Sequence, residues 1–202
     1  MKVRTTALIA SAALTTLLLA GCSGMSGDME GMDHGSGGAT SAPSESVSAD
    51  FNNADETFAM EMIPHHEQAV EMADILLAKE GVDERVVALA ANIKAAQDPE
   101  IDQMLGFLDA WGVEMADGMG GMDHGMDGMM SSEDMAALEE ASGAEASSLF
   151  LEQMIQHHQG AIEMAQQELD NGQNPEALEL AQKIVDDQTA EIAEMQSLLS
   201  EL

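Results

Sequence analysis

Apolar side chains return every third or fourth residue over two long stretches of this chain. In the first stretch Phe58, Met62, His65, Ala69, Met72 and Leu76 follow one another at such spacings. At a helical pitch they share one face about 80° wide, which predicts an amphipathic helix. Gly81 and Asp83 mark a turn, and a second stripe runs Val86, Ala90, Ile93, Gln97, Ile101, Met104, Leu108, ending near Trp111-Gly112. Phe150, Met154, His157, Ala161 and Met164 repeat the first stripe at an offset of 92 residues. Ala177, Ala181, Ile184, Gln188, Ile192, Met195 and Leu199 repeat the second at an offset of 91. The difference of one residue falls in the turn Asn171-Gly172-Gln173-Asn174-Pro175, where chain length costs little. Ser132 to Ala141 predicts a further short helix capped by Ser131 or Ser132. Two related helical hairpins, each with one apolar stripe, bury those stripes only against each other. The predicted fold is therefore all-α, an antiparallel four-helix bundle with a pseudo-two-fold internal repeat.

Each stripe carries polar intruders: His65 and Gln97 in one half, His157 and Gln188 in the other. A buried imidazole or amide without a partner costs about 1–3 kcal/mol, so something must satisfy these groups. One solution is a hydrogen bond between His and Gln across the bundle that fixes its register. Another is a metal. Methionines lie one turn before and two turns after each of these histidines, Met62 and Met72 in the first copy, Met154 and Met164 in the second, while Met104 and Met195 lie two turns past the glutamines. Thioethers suit Cu(I), a soft ion, better than harder divalent ions, although methionine is also a common core filler. His66 and His158 point about 100° away from their neighbours, at the edge of the stripe. Three roles stay open for them: a solvated face, a rim ligand, or a contact between subunits. Glu71 and Glu163 lie about 120° from His65 and His157, too far to share first-sphere ligation on one helix but available as supporting groups. Pro64 falls inside the first predicted helix and removes the partner of the Met60 carbonyl, whereas Gln156 stands at the matching position. A bend there would re-aim His65.

Between the repeats, residues 113–131 are broken by five glycines and hold six methionines: Met115, Met119, Met122, Met126, Met129 and Met130. Gly31-Met32-Asp33-His34-Gly35 recurs word for word as Gly121-Met122-Asp123-His124-Gly125. A polar loop without aromatics gives methionine nothing to pack against, so Met119, Met122, His124, Met126 and Met129 read as a shallow capture site for Cu(I) or Ag(I).

The N-terminus has its own signature. Lys2 and Arg4 precede an apolar run from Ala7 to Ala20 that is too short for a comfortable membrane span. Leu19-Ala20-Gly21-Cys22 resembles a bacterial lipobox, which implies a signal peptide over 1–21 and lipidation at Cys22, the only cysteine. Residues 22–50, rich in Met, Gly and Ser, read as a flexible tether, and 51–202 as the bundle: repeat one 51–112, loop 113–131, repeat two 132–202. Six basic against 38 acidic residues give a net charge of −32. That excludes nucleic acid, whose phosphates require Lys and Arg, and leaves the lipid as the membrane link.

Met62-Ile63-Pro64-His65-His66 with Ala69-Val70-Glu71-Met72-Ala73, and Met154-Ile155-Gln156-His157-His158 with Ala161-Ile162-Glu163-Met164-Ala165, resemble the signature of domain-of-unknown-function family 305. So do Gln97-x-x-Glu100-Ile101-x-x-Met104 and Gln188-x-x-Glu191-Ile192-x-x-Met195. The resemblance covers about residues 51–202. It implies a ferritin-like helical bundle in an extracytoplasmic protein, often linked with copper. No Glu-x-x-His pattern occurs, which argues against a di-iron oxidase of the ferritin type. No nucleophile–base pair or phosphate loop appears, so no catalysis is expected.

The reading is thus a lipid-anchored copper-binding protein, for Cu(I) and in second place Cu(II), that buffers the ion or passes it to a transfer partner. The candidate ligands are His65, His66, His157, His158, Met62, Met72, Met104, Met154, Met164 and Met195, with the loop set beside them. Gln97, Gln188, Glu71 and Glu163 are the candidate supporting groups. A metal-dependent oxidoreductase and a metal-free structural lipoprotein remain as alternatives.

Overall fold

The structure is a computed structural model that describes residues 47–115 and 128–202. The signal peptide, Cys22, the tether to residue 46, and Met119, Met122, His124 and Met126 lie outside the described residues. Helix α1 (Asn53–Leu77) starts at Asn52, whose side chain accepts from the amides of Ala54 and Asp55. Asp55 in turn accepts from the Asn52 amide at 2.6 Å, which completes a reciprocal cap. The helix continues unbroken through Pro64. Helix α2 (Glu84–Trp111) is capped by Asp83, contains a second interior proline, Pro99, and stops at Gly112. The left-handed φ of 70° at Gly112 brings the Val113 amide back onto the Leu108 carbonyl at 2.9 Å. Helix α3 (Ser132–Glu140) has a capping box of Ser131 and Asp134. Helix α4 (Gly143–Asn171) leads to α5 (Pro175–Leu199), which Asn174 caps and Pro175 opens. No strand occurs among the described residues.

Packing follows the internal repeat. α1 lies on α2, α4 on α5, and α1 on α4, with the short α3 laid against both α1 and α4. The buried apolar side chains form two clusters. One holds Met72, Leu76, Ile93, Phe150, Met154, Met195 and their neighbours. The other holds Phe58, Met62, Met104, Phe107, Met164, Ile184 and theirs. On each of the four long helices the members of one cluster give way to those of the other across a short polar stretch. Those stretches carry His65 and His66 on α1, Gln97 and Glu100 on α2, His157 and His158 on α4, and Gln188 and Glu191 on α5. A polar slab crosses the bundle between two greasy ends.

The bundle begins earlier than the sequence boundary at residue 51. Ser48 donates its amide to Glu176, and its carbonyl accepts from Trp111 Nε1 at 3.2 Å and from Asn174 Nδ2 at 3.0 Å. Phe51 stacks on Trp111 with ring centroids 4.8 Å apart. Ser and Asp in a polar run give no periodic signal, so this docking is invisible in the sequence pattern.

Candidate metal centre

The centre of the slab is a histidine pair. His65 of α1 and His157 of α4 are fully buried, and their ring centroids lie 3.7 Å apart. Both belong to the apolar face of their helices, so folding that face inward carries the imidazoles with it. Burial, and then the nearby His65, His158 and His66, hold the pKa of His157 well below the ordinary histidine value. Its ring is therefore neutral at physiological pH. Neither of its nitrogens has a well-formed hydrogen bond, and a poorly aligned contact with the His65 backbone does little to offset this. A neutral buried imidazole with an unused lone pair is the form in which histidine ligates a metal.

His66 and His158 are not at a solvated rim. Both side chains are fully buried, which removes the solvent-facing and intersubunit roles left open by the stripe geometry. Each finds a carboxylate on the second helix of its own hairpin. His66 Nε2 lies 2.8 Å from Glu100, and His158 Nε2 lies 2.7 Å from Glu191. With a carboxylate as acceptor the Nε2 atom carries the hydrogen, which leaves Nδ1 as the atom that would meet a metal. Both Nδ1 atoms are buried and without a hydrogen-bond partner. Carboxylate–histidine pairs of this kind orient an imidazole and raise its basicity toward a metal.

Glu100 has a second partner. Lys183 of α5 reaches it at 2.7 Å and also meets Asp187 at 2.9 Å. Burial pushes the Glu100 carboxyl up, but His66 and Lys183 outweigh it and hold the group below the usual carboxylate range.

The six methionines assigned to the centre are all buried. They do not surround the histidines as one shell. Met62, Met104 and Met164 share one cluster, while Met72, Met154 and Met195 share the other. Met62 and Met72, one turn before and two turns after His65, therefore belong to different clusters. Two thioether trios, related by the internal repeat, thus lie one in each apolar cluster.

Gln97 and Gln188 are buried as the stripe requires, but they do not lock the register. Neither amide atom of Gln97 has a hydrogen-bond partner, and Oε1 of Gln188 has none. Glu71 and Glu163 are exposed on the outward face, so the supporting role read for them passes to Glu100 and Glu191. Of the loop set, Met129 is described and is half-buried. Glu100 and Glu191 stand at matching places in the repeated Gln-x-x-Glu segments. A duplicated carboxylate one turn past an inward glutamine was the signal that could have found them.

Among the described residues no three His, Cys, Asp or Glu side chains converge as a ready-made cage. The donors on offer are imidazole nitrogens backed by thioethers, a set that suits a soft ion of low coordination number. It does not suit Mg²⁺ or Ca²⁺, which take oxygen shells.

The model of the family named domain of unknown function DUF305 matches residues 55–199. Among curated protein sequences none matches. Solved structures do. A DUF305 protein from Streptomyces coelicolor, described as secreted, is 34% identical, with 73% of this chain and 91% of that one covered and a TM-score of 0.67. A DUF305 fragment from Deinococcus radiodurans is 32% identical over 75% of this chain and 98% of that one, TM-score 0.68. CopM in its Cu(II)-bound form is 32% identical over 73% of this chain and 96% of that one, TM-score 0.64. The same protein has been solved with Cu(I) and with silver.

Proposed function

The chain belongs to the DUF305 family, and on that premise we propose that it is an extracytoplasmic, lipid-anchored protein that binds copper in the polar slab and buffers it or hands it on. The observation that carries this reading is the buried His65–His157 pair, with a neutral His157 whose nitrogens lack well-formed hydrogen bonds. An imidazole buried without well-formed hydrogen bonds, as His157 is, costs about 1–3 kcal/mol of stability. A bound ion removes that cost.

Cu(I) is the first ligand, held by imidazole with thioethers on either side. Cu(II), which favours nitrogen and oxygen donors, draws on His66 and His158 oriented by Glu100 and Glu191. CopM, similar over most of this chain, takes both oxidation states and silver, which supports the same donor classes here. The Met/His loop serves as the capture site that supplies the slab. No residue set for turnover is assigned, and the role is binding rather than catalysis. The Lys2–Arg4 leader and the lipobox ending at Cys22 support export and anchoring, as does the secreted description of the Streptomyces relative.

The test is a competition titration of Cu(I) against a chromophoric chelator. The parent chain is compared with His65→Ala/His157→Ala and with a version carrying Ser at Met119, Met122, Met126, Met129 and Met130. The double histidine variant is expected to lose at least 100-fold in affinity, and the loop variant to keep tight binding with a lower copper count. Equal affinity in the parent and the double histidine variant would remove the slab from the reading.

A further inference from the structure

A short stretch of backbone crosses the seam between α1 and α4, outside the histidine pair. Gly128, Met129 and Met130 lead into α3, and the two helices grip them differently. On α1, Gln68 holds the Met130 backbone with both ends of its amide: Nε2 donates to the Met130 carbonyl at 2.9 Å, and Oε1 accepts from the Met130 amide at 2.7 Å. On α4 the contact is backbone on backbone. A methyl group on Gly128 would lie 2.8 Å from Gly160 Cα and 2.9 Å from each of the Gln156 and His157 carbonyl oxygens. Gly128 has a φ of 87°, so its conformation as well as its contacts excludes a side chain.

Gln68 and Gly160 occupy the same place in the two repeats, three residues past the inward histidine. They differ in the most consequential way two residues can: one supplies a double hydrogen bond, and the other supplies the absence of a side chain. Both differences serve the same stretch of chain. Met130 then buries its side chain in the cluster that holds Met72, Met154 and Met195. One thioether trio thereby receives a fourth sulfur from outside the repeats.

We propose that Gly128–Met130 is a strap that gates exchange of metal at the His65–His157 pair, with Gln68 as its latch and Gly160 as its seat. The proposal rests on the copper reading for the identity of the ion. The strap, however, is built on contacts that do not depend on metal. His65 and His157 meet between α1 and α4, and the strap lies on the same seam, against the His157 carbonyl on one side and Gln68 on the other. Among the described residues the strap is held by an amide clamp, a glycine contact and a buried methionine. Releasing it opens a path without parting the helices.

Two readouts separate this proposal from the reading it rests on. In the first, Cu(I) transfer to and from a chromophoric chelator is followed by stopped flow for the parent, Gln68→Ala and Gly128→Ala. Both variants are expected to speed uptake and release together by about tenfold or more, with the dissociation constant within about threefold of the parent. Unchanged rates, or a faster release matched by an equal loss of affinity, would overturn the gate and make Gln68 a structural contact. In the second, the metal-free full chain is treated with diethyl pyrocarbonate, and modification of the peptides carrying His65 and His157 is timed by mass spectrometry. Faster modification in both variants supports the gate, and parental rates overturn it. This readout decides the matter even if the parent proves to bind no copper, a result that would sink the functional reading alone. Circular dichroism melting of each variant accompanies both readouts, and Gly160→Leu, which fills the seat from the other side, provides an independent variant with the same expected outcome.

Discussion

Repeat one and repeat two agree inside the slab and disagree around it. His65, His66, Gln97 and Glu100 are matched by His157, His158, Gln188 and Glu191, and each outer histidine meets its glutamate at nearly the same distance. The departures lie elsewhere. Pro64 and Pro99 in the first repeat stand where the second has Gln156 and Ala190, and Lys183 in the second stands where the first has Asn92. Glu168 occupies the place of Leu76, and Asp55 that of Ser147. What is doubled lines the slab, and what differs lies around it. Asp55 and Ser147 differ in kind but share one task. The Asp55 carboxylate accepts from the Gln173 and Asn174 amides and ties the start of α1 to the α4–α5 turn, as Ser147 accepts from the Asp83 amide at the other end.

The largest break in this comparison comes from the glutamates. Glu100→Ala leaves the buried His66 without its carboxylate and Lys183 without its inward partner. We expect a loss of about 1–3 kcal/mol in urea unfolding. Glu191→Ala is expected to cost less than half as much, because the Glu191 side chain is 20% exposed against 7% for Glu100 and has no lysine. Equal losses would mean that Lys183 adds nothing.

Glu168 separates the repeats by pH. Burial, followed by the hydrogen bond to Asp55 and the charge of that group, raises its pKa from 4.5 to about 8. Neither of its oxygens has a well-formed hydrogen bond, and the buried carboxyl keeps its proton beside the Asp55 carboxylate. Between pH 4.5 and about 8 the folded chain holds a proton that the unfolded chain releases. This contribution to stability is complete below that window and fades as the pH climbs through it. Asp55 runs the other way. Burial raises its pKa, but Glu168 and the Asn52, Asn174 and Gln173 amides outweigh that and hold it below 3.8, so its contribution is lost in acid. Glu168→Leu, which copies Leu76, should flatten the decline in melting temperature between pH 5 and 8. A slope unchanged in the variant would place the titration elsewhere.

The smallest expected effect concerns the ends. Phe51 covers Trp111, whereas Leu202, the counterpart of Trp111, is exposed. Phe51→Ala should cost about 1 kcal/mol and shift the emission of the single tryptophan to the red. An unshifted spectrum would show that the 47–51 segment does not cover the indole in solution.

The bundle itself was legible because its information is periodic: each stripe names a buried face, and the offsets of 92 and 91 name the pairing. The inward His65 and His157 followed from the same rule. His66 and His158 did not, because a position at the edge of a stripe is buried or exposed according to what the next helix offers. Here the next helix offers Glu100 and Glu191. Spacing along one helix places Met62 before and Met72 after His65, but it cannot say which methionines of the other helices join each: Met62 groups with Met104 and Met164, and Met72 with Met154 and Met195. The docking of Ser48 and the grip of Gln68 on Met130 were illegible for another reason. They are backbone contacts made by residues with no periodic signature.

The two apolar clusters have a consequence for how such a chain came to be. Each cluster draws on all four long helices, and hence on both hairpins, so a lone hairpin owns two half-cores and no whole one. Cut free, it folds only by finding a second copy of itself about a two-fold axis. That copy would restore both clusters and all eight polar residues of the slab. The duplicated sequence is what a fused homodimer leaves behind: a symmetric interior kept intact, and a surface released to diverge wherever the join and its connecting loop came to lie.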